Sequence, residues 1–283
     1  MAQIESLTTE QIDSLIQRAL EEDLGTGDIT TGGLQAVDRR ATAVVTAKEP
    51  LVLCGLDIFR RVFTRLSEDV VFEGPKHQDG DAIALQEDII HLEGRASVLL
   101  TGERTALNIL QRLSGIATLT RKFVEAARPV TVLDTRKTTP GLRVYEKYAV
   151  HCGGGTNHRF GLYDAVLIKD NHIKLAGGIL PAIRQITAKY RGKIEVEATD
   201  LDEVREALEG EADIILLDNF GSEDLKKAVE LIAGKCRIEV SGNMDIEKIK
   251  KINDLSVDFV SVGALTHSAR AVDISMNFLL PPM

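Results

Sequence analysis

The sequence predicts an α/β protein in two parts: an N-terminal domain built on an open, mixed sheet, then an incomplete (β/α) barrel of about six strands. Three observations predict it. From residue 130 onward, short aliphatic runs alternate with amphipathic stretches, as strands and helices do when they wind a parallel sheet. Nearly every run ends in polar residues, which matches the C-terminal rim where a barrel keeps its chemistry. A doubly wound sheet fits the alternation too, but concentrates its site at one switch point. Before residue 100, in contrast, the apolar runs show no helical period and are broken by Gly, Pro and Asp turns, so an open, mixed sheet is expected there.

Residues 1–22 read as a helix with Ile4, Ile12, Leu15, Ile16 and Leu20 on one side. A turn-rich loop follows, Glu22-Asp23-Leu24-Gly25-Thr26-Gly27-Asp28-Ile29-Thr30. Strands are expected over 41–47, 51–53, 70–72 and 89–100. Thr101-Gly102-Glu103-Arg104 is expected to open a helix reaching about Arg128, with Thr101 as N-cap and a kink at Gly115. That kink sets the expected domains at 1–114 and 115–270, with 271–283 packing back on the first. The six barrel strands are Val130–Leu133, Ala165–Ile168, Ile194–Val196, Ile214–Leu217, Ile238–Val240 and Phe259–Val260. Helices are expected over 142–152, 179–190, 201–209, 223–233 and 245–253. Asp200 and Ser222 suit N-caps, and Gly210 and Gly234 suit helix ends.

Composition excludes several classes. The chain has 283 residues, 44% of them hydrophobic, with no Trp and a net charge of -9. An acidic protein poor in aromatics is a poor nucleic-acid platform, so any anion site is a local basic pocket. No apolar run approaches the ~20 residues that span a bilayer. The acidic, amphipathic N-terminus is unlike a signal peptide. Cys54, Cys152 and Cys236 form no CxxC pair and read as reduced, packed thiols, so a cytoplasmic enzyme with no nucleic-acid or membrane partner is expected.

The strand tips carry the candidate chemistry. Thr135, Arg136 and Lys137 follow the first barrel strand, and a guanidinium fork beside a lysine suits carboxylate or phosphate. The segment from His151 to Arg159 holds three glycines that expose backbone N–H groups, with His158 and Arg159 adding side-chain donors. His151, His158 and His172 show no zinc spacing. Lys169 ends a strand, where a lysine serves either as an anion contact or as a Schiff-base nucleophile. Glu197 and Asp218 end successive strands and suit ribose hydroxyls or Mg²⁺, since that ion binds through one or two carboxylates plus substrate phosphate. Glu195 points to the same side as Glu197 in a regular strand. Ser241-Gly242-Asn243 and Ser261-Val262-Gly263 end the last two strands, where small residues let backbone N–H groups hold a phosphate.

Taken in order, these segments resemble the quinolinate phosphoribosyltransferase family over nearly the whole chain. The resemblance runs from the Glu22–Thr30 loop through Thr101–Asn108, Asp134–Gly141, Asn157–Leu162, Leu167–His172, Glu195–Glu197, Leu217–Asn219, Ser241–Asn243 and Ser261–Gly263, and it implies an N-terminal open α/β sandwich domain ahead of a barrel with fewer than eight strands. It implies phosphoribosyl transfer from phosphoribosyl pyrophosphate to quinolinate, with decarboxylation and with Mg²⁺. It implies a homodimer in which Arg104 reaches the neighbouring subunit's site. By the same resemblance Arg104, Thr135, Arg136, His158, Arg159 and Lys169 would hold quinolinate. Lys137, Lys169, Glu197, Asp218, Ser241, Gly242, Asn243, Ser261, Val262 and Gly263 would hold the phosphoribosyl pyrophosphate. Lys137, Glu197 and Asp218 would be catalytic, and Glu197 and Asp218 would hold the metal, directly or through water. A transferase acting on another pyridine or base, a Schiff-base aldolase using Lys169, and a phosphosugar-binding regulator remain as alternatives.

Overall fold

The computed structural model describes residues 3–34, 37, 39–74 and 76–279. Contacts divide the chain into two compact units. One comprises Met1–Gln3, Lys122–Arg143 and Gly155–Ser268; the other comprises Ile4–Arg121, Val144–Gly154 and Ala269–Met283. This differs from a single cut at 114/115, because residues 144–154 join the N-terminal unit and the cut falls inside a long helix.

The N-terminal unit contains β1 (Arg40–Ala47), β2 (Leu51–Val52), β3 (Val71–Glu73), β4 (Ala82–Ile83) and β5 (Asp88–Arg95). The other unit contains β6 (Thr131–Leu133), β7 (Val166–Ile168), β8 (Ile194–Ala198), β9 (Ile214–Asp218), β10 (Arg237–Ser241) and β11 (Phe259–Ser261). The last described strand is β12 (Ile274–Leu279), which pairs with β1.

In the N-terminal unit, the first helix runs Thr9–Leu24, later than the expected 1–22. Thr8 and Gln11 set its start through a capping box, and it buries Leu15, Ile16 and Leu20. Met1 and Ala2 lie outside the described residues. The main sheet has the order β12-β1-β5-β3, and each of its pairs is antiparallel rather than mixed. Residues 280–283 of the expected returning segment also lie outside the described residues.

Two expectations fail where the chain leaves β5. The strand stops at Arg95, and a helix follows at once over Ala96–Ala127. The run Ala96–Leu100 is apolar without a period of its own, so sequence does not separate strand from helix there. Thr101 is therefore inside the helix and caps nothing. Its hydroxyl donates to Asp28 at 3.3 Å, and Thr105 donates to Asp23 at the same distance. The 23–28 loop is thus fastened to the helix on either side of Arg104. Gly115 is not a break either, since the helix continues through it. A Cβ at 115 would run into the Arg270 carbonyl oxygen. The glycine permits close approach of the segment that leads into β12, which Gln111 also holds through the Ile274 carbonyl at 2.8 Å.

The second unit explains why a barrel forms. Its sheet has the order β6-β11-β10-β9-β8-β7, all pairs parallel. Strands seven to eleven are neighbours in sequence order, and the first strand closes beside the last. That is single winding, as in a barrel, with no reversal point of the doubly wound kind. The seam lies between β6 and β7, where no ladder forms among the described residues. Helices over Ile179–Thr187, Leu201–Glu209, Ser222–Ile232 and Ile246–Ile252 connect the strands, close to the expected spans. Asp200 caps its helix through the N–H groups of Asp202 and Glu203, whereas Ser222 is the first helical residue and Gly221 the cap.

Candidate active site

Side chains alternate across a strand, so each barrel strand sends every second residue inward. Along β8, Ile194, Val196 and Ala198 share one face, and Glu195 and Glu197 share the other. By the same period Leu167 of β7, Leu216 and Asp218 of β9, Glu239 and Ser241 of β10, and Ser261 of β11 face inward. Together with Thr135, Arg136, Lys137, His158, Arg159 and Lys169, all of these inward residues except Glu195 line one cavity of ≈ 380 Å³. A larger space of ≈ 950 Å³ lies at the opposite, N-terminal ends of β9 and β10, beside Lys193, Asp213, Arg237 and Asp258. Size does not decide between them: the smaller one is at the C-terminal rim and holds the convergent charges.

The cationic wall is built from two loops. Asp134, fully buried, accepts from the His158 N–H at 2.9 Å and from the Asn157 side-chain amide at 2.8 Å. This carboxylate fixes the turn that aims His158 and Arg159. Arg159 donates to the Ala165 carbonyl at 3.2 Å and is 6% exposed. Burial, and then the neighbouring Arg136 charge, lower the Arg159 guanidinium from its usual value. Arg136 has a buried Nε with no acceptor among the described residues. Two crowded guanidiniums, one with an unused donor, form a strong anion site. Lys137 folds across Gly263, where a Cβ would come within 2.9 Å of its side chain.

At the rim, Lys169 Nζ pairs with Glu197 at 2.8 Å. Asp218 accepts from the Asn219 side-chain amide at 2.7 Å. Beneath lies a buried cluster. His158 Nε2 is 3.3 Å from Glu195 and 3.4 Å from Glu239. Burial works against a charge on His158, but the two carboxylates outweigh it and push its pKa up to about 10. Burial, reinforced by Glu239, also raises Glu195 to about 7. The Arg159 N–H approaches His158 Nδ1 at 2.7 Å and favours the neutral ring. Two adjacent carboxylates outweigh that one amide dipole, so the cluster as a unit keeps a proton well above the ordinary histidine range.

The remaining predicted residues divide. Ser241 and Ser261 line the cavity. Gly242 lines the adjoining space with Lys248 and Lys251, and has φ +110 where a Cβ would collide with the Asn219 side chain. Asn243 lines neither space, and its carbonyl accepts from Lys248 at 2.9 Å. Val262 presents no phosphate donor, because its N–H bonds to the Leu133 carbonyl at 2.9 Å and it is 1% exposed. Arg104 is exposed on the N-terminal unit's long helix. His172 is taken up locally, its Nδ1 accepting from the Lys169 N–H at 3.0 Å. Sequence reasoning missed Glu239 as a site residue. The available signal was an acidic residue in the middle of an apolar strand, two positions before an inward tip, as Glu195 is in β8.

The chain is similar to known proteins along almost its full length. Residues 28–114 match the family model for the quinolinate phosphoribosyl transferase N-terminal domain, and residues 116–277 match that for the C-terminal domain. A chloroplastic nicotinate-nucleotide pyrophosphorylase (carboxylating) from Arabidopsis thaliana is 41% identical, over 95% of this chain and 83% of the relative. A mitochondrial quinolinate phosphoribosyltransferase (decarboxylating) from Nicotiana tabacum is 40% identical, over 95% of this chain and 82% of the relative. The solved nicotinate-nucleotide pyrophosphorylase from Francisella tularensis superposes with a TM-score of 0.93 at 41% identity, covering 99% of this chain and 100% of that one. With both domain models matched and relatives this similar along almost its full length, the chain belongs to the quinolinate phosphoribosyltransferase family of enzymes.

Proposed function

We propose that the chain transfers phosphoribosyl from phosphoribosyl pyrophosphate to quinolinate and removes one carboxylate, giving nicotinate mononucleotide, CO₂ and pyrophosphate in NAD synthesis. The observation that carries this reading is the crowding of Arg136, Arg159, His158 and Lys169 in one cavity with Glu197 and Asp218. Quinolinate bears two carboxylates on adjacent ring carbons. Such a compact dianion relieves the repulsion between the guanidiniums and supplies the acceptor that Arg136 Nε lacks. Thr135 adds a hydroxyl at the same wall.

The chemistry needs mainly positioning and electrostatics. The pyridine nitrogen attacks the anomeric carbon as the bond to pyrophosphate breaks. Lys137 offsets charge on the departing group, while Glu197 and Asp218 hold the ribose hydroxyls and balance positive charge developing on the sugar. The ring nitrogen is then cationic and draws in the electron pair left when the neighbouring carboxylate departs as CO₂; a proton takes its place on carbon. Ser241, Gly242, Ser261 and Gly263 hold the 5′-phosphate. The hard oxygens of Glu197 and Asp218 fit Mg²⁺ that keeps water and substrate phosphate as its other ligands. When bound, that ion would neutralise pyrophosphate charge.

The working form in this reading is a cytoplasmic homodimer in which Arg104 completes the neighbour's site. Mixing Arg104→Ala chains with Arg159→Ala chains should regenerate activity through hybrid dimers; none above either parent would remove the shared site. Among the described residues no helix is long and apolar enough to cross a membrane. The aldolase alternative is weakened by the Lys169–Glu197 ion pair, which uses the ammonium form where a Schiff base needs the free amine. Calorimetry with quinolinate and with nicotinate tests the pocket. Quinolinate should bind at least tenfold more tightly, and Arg136→Ala should erase most of that gap. Equal affinity would move the proposal to a monocarboxylate substrate.

A further inference from the structure

Two of the three cysteines, far apart in sequence, converge in the N-terminal unit. One sulfur each from Cys54 and Cys152, and one carboxylate oxygen of Asp79, all lie within 4.8 Å of one another. We propose that these three residues form a binding site for a thiophilic divalent cation of the Zn²⁺ or Cd²⁺ kind, separate from the rim chemistry.

The donor set is the argument. Thiolates select soft or borderline metals, and two thiolates with one carboxylate leave one tetrahedral position for water. Metal–sulfur bonds of about 2.3 Å separate tetrahedral donors by roughly 3.8 Å. The existing spread therefore closes with shifts on the order of 1 Å. The ligands also sit on fixed backbone. Cys54 donates its N–H to the Ser114 hydroxyl at 3.0 Å and accepts from that hydroxyl at 3.2 Å. Asp79 accepts from the Gly55 N–H at 2.9 Å, the Leu56 N–H at 3.0 Å and the Tyr148 hydroxyl at 2.9 Å. Hydrogen bonds of this kind orient a carboxylate ligand and fix which oxygen is offered.

Access is one-sided. Cys54 is 0% exposed, while Cys152, the last residue of the helix Arg143–Cys152, and Asp79 are partly open. Burial pushes the Cys54 thiol up, and the Cys152 thiol and the Asp79 charge push it further. A cation reverses that balance: it displaces one proton from each thiol, forms two metal–sulfur bonds and leaves the site with no change in oxidation state. Cys236 lies in the other unit near Asp213 and Asp258, so it serves as an internal control.

The experiment is an anaerobic Cd²⁺ titration of the reduced full chain, read by thiolate-to-cadmium charge-transfer absorption. Saturation near one Cd²⁺ per chain is expected, with the intensity of two thiolates. Cys236→Ser should leave it unchanged, and Cys152→Ser should at least halve the band and weaken binding tenfold or more. Cys152 is only half-buried, so this variant should keep its circular dichroism and decide the matter even if Cys54→Ser misfolds. No saturable band in the intact chain, the same band in Cys152→Ser, or loss of the band in Cys236→Ser would each overturn the proposal.

Discussion

Along β8, two carboxylates one repeat apart meet two cations in opposite circumstances. Glu197 pairs with Lys169 at the rim, where the lysine side chain is 45% exposed. Glu195 pairs with His158 beneath it, where both side chains are under 10% exposed and Glu239 joins them fully buried. Water screens the first pair, and a water-exposed pair contributes on the order of 1 kcal/mol or less to stability. The second has no such screen, so removing its one cation, His158, strands two carboxylates at a cost of about 3–5 kcal/mol. Under the proposed function this divides the labour: the screened rim pair can exchange partners with substrate, while the buried cluster holds the wall in place.

The largest effect expected from breaking this contrast is on turnover at the rim. Arg159→Ala should lower kcat/KM by about 10³-fold or more while the thermal midpoint moves little, as removing one preorganised charge contact does. Glu197→Gln and Asp218→Asn should each lower kcat by roughly 10²-fold. A large loss of stability in any of these would erase the distinction between rim and floor.

At the floor the order reverses. His158→Ala should destabilise the fold by about 3 kcal/mol or more in urea unfolding. Lys169→Ala, by comparison, should cost about 1 kcal/mol or less and still impair substrate binding. Comparable stability losses for the two would show that the floor is screened as the rim is.

The most gradual effect is on pH dependence. His158, facing Glu195 on β8 and Glu239 on β10, with the Asp134 carboxylate at its backbone, holds its proton to about 10 against 6.5 when unfolded. A raised value means the folded state binds the proton more tightly. The stabilisation is therefore fully present below pH 6.5 and drains away as pH climbs through about 10. Thermal midpoints should fall across that window, and His158→Gln should flatten the slope. A wild-type midpoint that rises over the same range would contradict the cluster's charge balance.

Much of the rim was legible because strand period and strand tip are both sequence properties: Arg136, Lys169, Glu197 and Asp218 each follow or end an aliphatic run. Less of the floor was legible. Glu239 looks like a lapse in the strand Ile238–Val240 until β8 and β10 are known to share an interior. Val262 failed as a phosphate donor because a tripeptide says nothing of whether its N–H is already spent on β6. In the N-terminal unit, Ala96–Leu100 carried no period to separate strand from helix. Gly115 read as a kink because the chain that packs on it, at Arg270, lies far away in sequence. The Cys54–Cys152 meeting was invisible for the same reason.

The central claim is that the rim binds a dicarboxylate and removes one carboxylate after ribosyl transfer. The direct measurement is incubation of the purified chain with phosphoribosyl pyrophosphate, Mg²⁺ and quinolinate labelled in the carboxylate next to nitrogen, following nicotinate mononucleotide and labelled CO₂ together. Equal amounts of both are expected, and no nucleotide when nicotinate replaces quinolinate. Nucleotide formed from nicotinate, or label retained in the product, would contradict the claim.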